Sequence, residues 1–283
     1  MNSTIKTVGI SRSFGAKTVL EDINIDIKSG EIFGLLGPSG AGKTTLIKIL
    51  TGQLMQDGGT AYIGGRDSRY LSGDARRSFG ITMDSFGIYE RLSCADNLKL
   101  FARIYGLPGN CISDALAKVG LSDAAKTPAG KLSKGMTGRL KLARAFMTDP
   151  DIIFLDEPTS GLDPVSADEI HKMILSEKAK GKTVFLTTHT MTEAEKLCDN
   201  IALLNEGTIV EYGSPKEICR RYDHKRMLKI HLYNGQDMEI PHDSSAAVTL
   251  AELISNGKAE TIHTTEPDLE TVFMEITGKE LSA

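Results

Sequence analysis

An α/β core followed by a small α+β tail is the fold this sequence predicts, and three observations carry that reading. Ile32-Phe33-Gly34-Leu35-Leu36 is an apolar run of strand length. It leads into the glycine-rich stretch Gly37-Pro38-Ser39-Gly40-Ala41-Gly42-Lys43-Thr44 and a helical stretch that stops at Gly52. Asp151-Ile152-Ile153-Phe154-Leu155-Asp156-Glu157 is a second apolar run, ending in two carboxylates. Apolar runs without alternation are the mark of strands buried on both faces, as in parallel sheets. From Leu228 onward apolar and polar residues alternate on either side of Asn234-Gly235, the pattern of an antiparallel hairpin.

The remaining elements follow in chain order. Ile23, Ile25 and Ile27 alternate with Asn24 and Asp26 in a half-exposed strand, and Ser29-Gly30 turns the chain into the run at Ile32. Short strands are expected at Thr60–Ile63, after Gly58-Gly59, and at Phe79–Met83. Beyond Asp84 the pattern becomes helical. Ser93-x-x-Asp96 reads as a capping box before Leu98, Phe101, Ala102 and Tyr105 at helical spacing, and Gly106-Leu107-Pro108-Gly109 ends that helix. Further helices are expected at Ser113–Val119 and after Ser133, so that residues 85–148 form a helical insertion in the core. The core resumes at Ile152. A helix (Val165–Lys180), a strand (Thr183–Thr187), a helix (Met191–Cys198) and a hairpin (Ile201–Leu204, Thr208–Tyr212) complete it. Ser214-Pro215-x-Glu217 opens another helix with an N-cap, a first-turn proline and a capping glutamate. The domain boundary is drawn at 223/224, and the tail holds a hairpin and helices at Ser245–Ile254 and Asp268–Ile276.

The glycine-rich stretch fits Gly-x-x-x-x-Gly-Lys-[Ser/Thr], placed between strand and helix as that pattern requires. Its glycines let successive N–H groups face one anion, and the helix N-terminus adds its positive dipole end. Lys43 is expected to reach the β- and γ-phosphates of a nucleotide, and the Thr44 hydroxyl to hold Mg²⁺. Asp156 and Glu157 fall at the C-terminal end of their strand, where α/β sheets bind ligands. Asp156 is expected in the Mg²⁺ shell and Glu157 as general base toward a water in line with the γ-phosphate. A solvated acidic turn before Pro158 is the alternative, and packing alone explains it poorly.

Between these motifs lies Leu132-Ser133-Lys134-Gly135-Met136. Phosphate loop, Ser-x-Gly element, Asp156-Glu157, Ser160-Gly161-Leu162-Asp163 and His189 follow one another in the order found in ATP-binding subunits of ABC transporters, and residues 5–220 resemble that family. The resemblance implies a P-loop NTPase core with an antiparallel β subdomain and a helical insertion. It implies two cassettes paired head to tail, each ATP lying between one phosphate loop, with Thr45 beside it, and the partner's Ser133 and Gly135. By the same resemblance His189 contacts the γ-phosphate, Asp163 and Ser160 signal across the dimer, and Phe14 stacks on adenine. A core Phe beside the Gly15 turn is the other reading of Phe14. Asp84 stands where the family usually has Gln, which leaves a metal role and a structural turn equally open. Lys134 and Met136 depart from the family's Gly and Gln.

The chain has 283 residues, 40% hydrophobic and 25% charged, enough for one large domain and a small addition. Its net charge of −4 argues against nucleic acid as the main ligand. The four cysteines show no paired metal spacing and read as free thiols of a reducing compartment. Apolar runs are of strand length, and Met1-Asn2-Ser3-Thr4-Ile5-Lys6 lacks the apolar core of a secretion signal. A membrane role is therefore expected through partners. The tail, from Glu266 to Phe273, resembles those of exporter ATPases for drugs, antibiotics and peptides. The expectation is an ATPase at the cytoplasmic face of the membrane, paired with itself or a paralogue and with separate transmembrane permease subunits. A soluble ABC-type ATPase acting on the ribosome or DNA is the alternative.

Overall fold

The computed structural model describes residues 3–73, 75, 78–83, 87–224, 226–265 and 267–278. The chain divides into two compact units, Met1–Tyr212 and Gly213–Ala283.

The first unit holds two sheets. One is antiparallel, with strand order β2-β1-β4-β5, from β1 (Ser3–Phe14), β2 (Lys17–Lys28), β4 (Gly58–Ile63) and β5 (Arg66–Asp67). The other has order β10-β9-β3-β8-β7-β6, from β3 (Ile32–Leu36), β6 (Phe79–Thr82), β7 (Ile152–Asp156), β8 (Thr183–Thr188), β9 (Asn200–Asn205) and β10 (Thr208–Gly213). Strands β9, β3, β8, β7 and β6 run parallel. Every residue of β3, β7 and β8 is buried, as continuous apolar runs dictate. Phe33, Phe154 and Phe185 pack ring to ring across neighbouring strands at 5.5 and 5.8 Å. Each such ring contributes about 1.5–3 kcal/mol by leaving water.

Register then sets the site. Leu36 lies opposite Thr188, and Asp156 opposite Thr187. The loop after β3, both β7 carboxylates and the segment after β8 therefore leave the sheet side by side. Helix α1 (Lys43–Leu50) follows β3. Between β6 and β7 run α2 (Cys94–Tyr105), α3 (Cys111–Lys118) and α4 (Lys134–Phe146). Helix α5 (Pro164–Ala179) joins β7 to β8, and α6 (Met191–Leu197) joins β8 to β9.

The second unit comprises α7 (Pro215–Arg221), β11 (Met227–Leu232), β12 (Asp237–Pro241), α8 (Ala246–Ser255), β13 (Ala259–Thr264) and α9 (Leu269–Thr277), its sheet ordered β12-β11-β13. The division falls before α7 rather than at 223, because α7 lies against α9 of the same unit and buries Pro215 and Ile218.

Three strands escape the sequence reading, the two-residue β5 among them. In β1 the pairing with β2 shifts register between Thr7 and Ile10, around Gly9 at φ 61°, and this breaks the alternation. In β13 only Ile262 is a large apolar residue. Ser93 makes half of the expected capping box. It accepts from the Asp96 N–H at 3.1 Å, but the shorter Asp96 carboxylate takes the Ser93 hydroxyl at 2.6 Å. Among the described residues, no helix is long and apolar enough to cross a membrane.

Candidate active site

The loop Gly37–Gly42 curls tightly between β3 and α1. Gly42 stands at φ 113°, and a Cβ there would lie 2.8 Å from both Leu20 Cδ2 and the Val19 carbonyl, so neither conformation nor space admits a side chain. The curl turns Lys43 back over the loop, where it is 5% exposed. Its Nζ donates to the Gly37 carbonyl at 2.6 Å and the Pro38 carbonyl at 3.2 Å. It also pairs with Glu157 Oε1 at 3.2 Å. A buried ammonium needs this counter-charge.

The β7 carboxylates are sorted by their partners. Asp156 Oδ2 accepts from the Thr44 hydroxyl at 2.8 Å, and Oδ1 from the Thr187 hydroxyl at 2.6 Å. Glu157 turns the other way, toward Lys43 and toward His189 Nδ1 at 3.2 Å from Oε2. Nδ1 engages that carboxylate, which leaves Nε2 of His189 for a second partner. Thr187 aligns both acids. Its hydroxyl accepts from the Glu157 N–H at 3.1 Å while donating to Asp156. Sequence reading passed over Thr187, since a threonine in an apolar strand looks like β-branched filler. Thr45 sits half-buried in the first turn of α1, outside this hydrogen-bonded set. Ser39 and Gly40 are exposed on the loop, and Ala41 is buried beneath it.

Ser133 caps α4, accepting from the Met136 N–H at 3.2 Å, and its side chain is exposed. A Cβ on Gly135 would meet Ser166 Oγ at 2.6 Å, so this glycine lets α4 cross α5 closely. Ser166 in turn donates to Asp163 Oδ2 at 2.6 Å. Asp163 caps α5, and the Ser166 hydroxyl and N–H hold its carboxyl below the usual range. Ser166, which the sequence did not single out, thus joins the Ser133–Gly135 element to the Asp163 turn. A cleft of about 450 Å³ between α4 and β7 is lined by Lys134, Lys141, Asp156, Glu157 and Ser160, with Thr82 at its wall.

Phe14 ends β1 half-exposed, with the Arg12 guanidinium 4.8 Å over its ring and that guanidinium tied to Asp57 at 2.6 Å. This is not the core position that was its other reading. Asp84 lies outside the described residues.

Comparison with known proteins identifies the family. The ABC transporter family model matches residues 20–160, which hold the phosphate loop, Ser133, Asp156 and Glu157. A fluoroquinolones export ATP-binding protein of Mycobacterium tuberculosis is 38% identical, over 94% of this chain and 90% of its own length. The chain belongs to the family of ABC transporter ATP-binding proteins. The Nod factor export ATP-binding protein I of a Rhizobium species is 32% identical over 98% of both chains. Among solved structures, an ATP-binding subunit of an ABC transporter gives a TM-score of 0.70 at 29% identity over 78% of this chain and 93% of that one. An ABC transporter cassette in its ADP conformation gives 0.68 at 27% identity, over 77% and 93%. The protein is an ATP-binding cassette, and it hydrolyses ATP.

Proposed function

We propose that this cassette powers an exporter: two copies, or one copy and a paralogue, close on ATP and drive separate permease subunits at the inner face of the membrane. The direction rests on relatives whose names denote export of fluoroquinolones and Nod factors and linearmycin resistance.

The observation that carries the chemistry is the sorting of the β7 carboxylates, Asp156 toward Thr44 and Glu157 toward His189 and Lys43. Thr44 and Asp156 present hard oxygens 2.8 Å apart, a donor set that suits Mg²⁺, which takes one or two carboxylates beside substrate phosphates. Mg²⁺ held there would neutralise charge on the phosphate oxygens. Lys43 exchanges its loop carbonyls and Glu157 for the β- and γ-phosphates. Glu157, released from Lys43 and still held by His189, accepts the proton of the attacking water. Nε2 of His189 serves the transferred phosphoryl group as an N–H, because phosphoryl oxygens only accept. Phe14 offers its remaining ring face to the base. Ser133 and Gly135 serve the ATP of the paired cassette, and the second unit serves assembly.

The test is transport. Inside-out vesicles holding the permease and this cassette should accumulate a fluorescent drug only with hydrolysable ATP. Accumulation in right-side-out vesicles instead would reverse the direction, and ATP hydrolysis indifferent to every permease would remove the transport reading.

A further inference from the structure

Behind the carboxylates lies a second buried polar cluster with no part in the chemistry described above. Glu193, in the first turn of α6, is 3% exposed, and His171, within α5, is 8% exposed. Glu193 Oε1 accepts from the Thr159 hydroxyl at 2.7 Å and lies 3.1 Å from His171 Nε2. Glu193 Oε2 and His171 Nδ1 are buried without a hydrogen-bond partner. A protonated Nδ1 would be a buried donor with nothing to meet, so the neutral ring with Nε2–H donating to Glu193 fits this site. A carboxylate so placed is a poor stabiliser. Apolar side chains in place of the whole cluster would spare that desolvation, so stability alone does not account for a carboxylate here.

What the three residues share is their place along the chain. Thr159 is two positions past Glu157, Glu193 four past His189, and His171 sits on the helix that Asp163 caps. The β7 and β8 segments are tied where they leave the sheet, by the Glu157 N–H on Thr187 and by the Glu157 carboxylate on His189. The bond between Thr159 and Glu193 ties the same segments further out, on α6, and His171 joins Glu193 to α5. Glu157 itself holds φ 47°, a conformation that a glutamate keeps only when its surroundings impose it.

We infer that Glu193 is a positioning residue: through Thr159 and His171 it clamps the Glu157–Asp163 segment to the helix that follows His189, so that Glu157 and His189 keep one orientation toward the reacting water. The inference rests on the reading of Glu157 as the base. It assigns Glu193 no contact with nucleotide, and ATP affinity does not depend on it.

Full-length Glu193→Leu, Glu193→Gln, Thr159→Val and Glu157→Gln chains, with the parent, test it by steady-state ATPase assay, ATP binding and thermal melting. Glu193→Leu should lower kcat about 10-fold, a loss of the scale expected from a misplaced catalytic group, with KM and ATP affinity unchanged. Its melting temperature should fall, because Thr159 and His171 lose their acceptor, so Glu193→Gln and Thr159→Val are what separate positioning from stability. Glu193→Gln keeps the accepting oxygen and should restore most of kcat. Thr159→Val cuts one of the two ties that Glu193→Leu cuts, so it should lower kcat by less, and the double variant should be no worse than Glu193→Leu alone. Thr159→Val is nearly isosteric and decides the matter even if Glu193→Leu does not fold. Parental kcat in Thr159→Val, additive losses, or a loss of kcat in Thr159→Val that tracks lost melting temperature would overturn the inference while leaving the base assignment standing. Parental hydrolysis by Glu157→Gln would overturn both.

Discussion

The carboxylate end of the parallel sheet and the start of α4 are built on opposite plans. At the sheet end every functional group already has a partner on another element: Lys43 on Glu157, Thr44 on Asp156, Thr187 on both acids, His189 on Glu157. At α4, Ser133 makes only its own helix cap, and Gly135 is committed to the crossing with Ser166. The first region is preorganised by its own hydrogen bonds. The second is a rigid edge whose hydroxyl spends its acceptor on a backbone N–H and stays exposed. The difference teaches that a hydroxyl left exposed beside a packed crossing is free to serve a second chain, as the proposed pairing requires.

That contrast can be broken most forcefully at Glu157. Glu157→Gln should retain ATP and lose hydrolysis by about 10²-fold or more, the scale of a lost general base, and light scattering should then show ATP-trapped dimers. A variant that turns over ATP at the parental rate would remove Glu157 from the chemistry. Next in size is complementation. Lys43→Ala and Ser133→Arg chains should each be nearly inactive alone. Mixed, they form heterodimers with one intact composite site, and a substantial part of the activity should return. Confirmed heterodimers without recovery would show that Ser133 serves its own chain. The smallest effect sharpens the picture of α4 as a packed edge. Gly135→Ala should destabilise the fold by about 1–3 kcal/mol in urea unfolding, as overpacking does, and Ser166→Gly should relieve most of it. Equal stability of Gly135→Ala and parent would mean that the crossing yields freely.

The two regions also differed in how plainly the sequence announced them. The phosphate loop and the acids at 156 and 157 are legible because spacing, strand and helix all have to agree, and few other arrangements satisfy them together. Thr187 is not legible, because its role lies in a register that places it beside Asp156, and register is a property of pairing rather than of either strand alone. Glu193 and His171 are hidden for a related reason. On a helix they read as polar surface, and only the packing of α5 and α6 turns them inward. Strand β1 was missed where a bulge interrupts its alternation, and β13 because nearly all its side chains face solvent.

The left-handed backbone of Glu157, at φ 47°, inverts the ordinary ranking of the two smallest residues. Over most of a chain alanine gives the more heat-resistant protein, because glycine loses more freedom on folding. In the left-handed region alanine carries a penalty of about 1 kcal/mol that glycine escapes. Glu157→Gly and Glu157→Ala lack the same carboxylate, so their difference isolates the backbone, and the glycine chain should melt about 2 °C higher in calorimetry. A chain screened for heat resistance alone would therefore drift toward glycine at 157 and discard the proposed base.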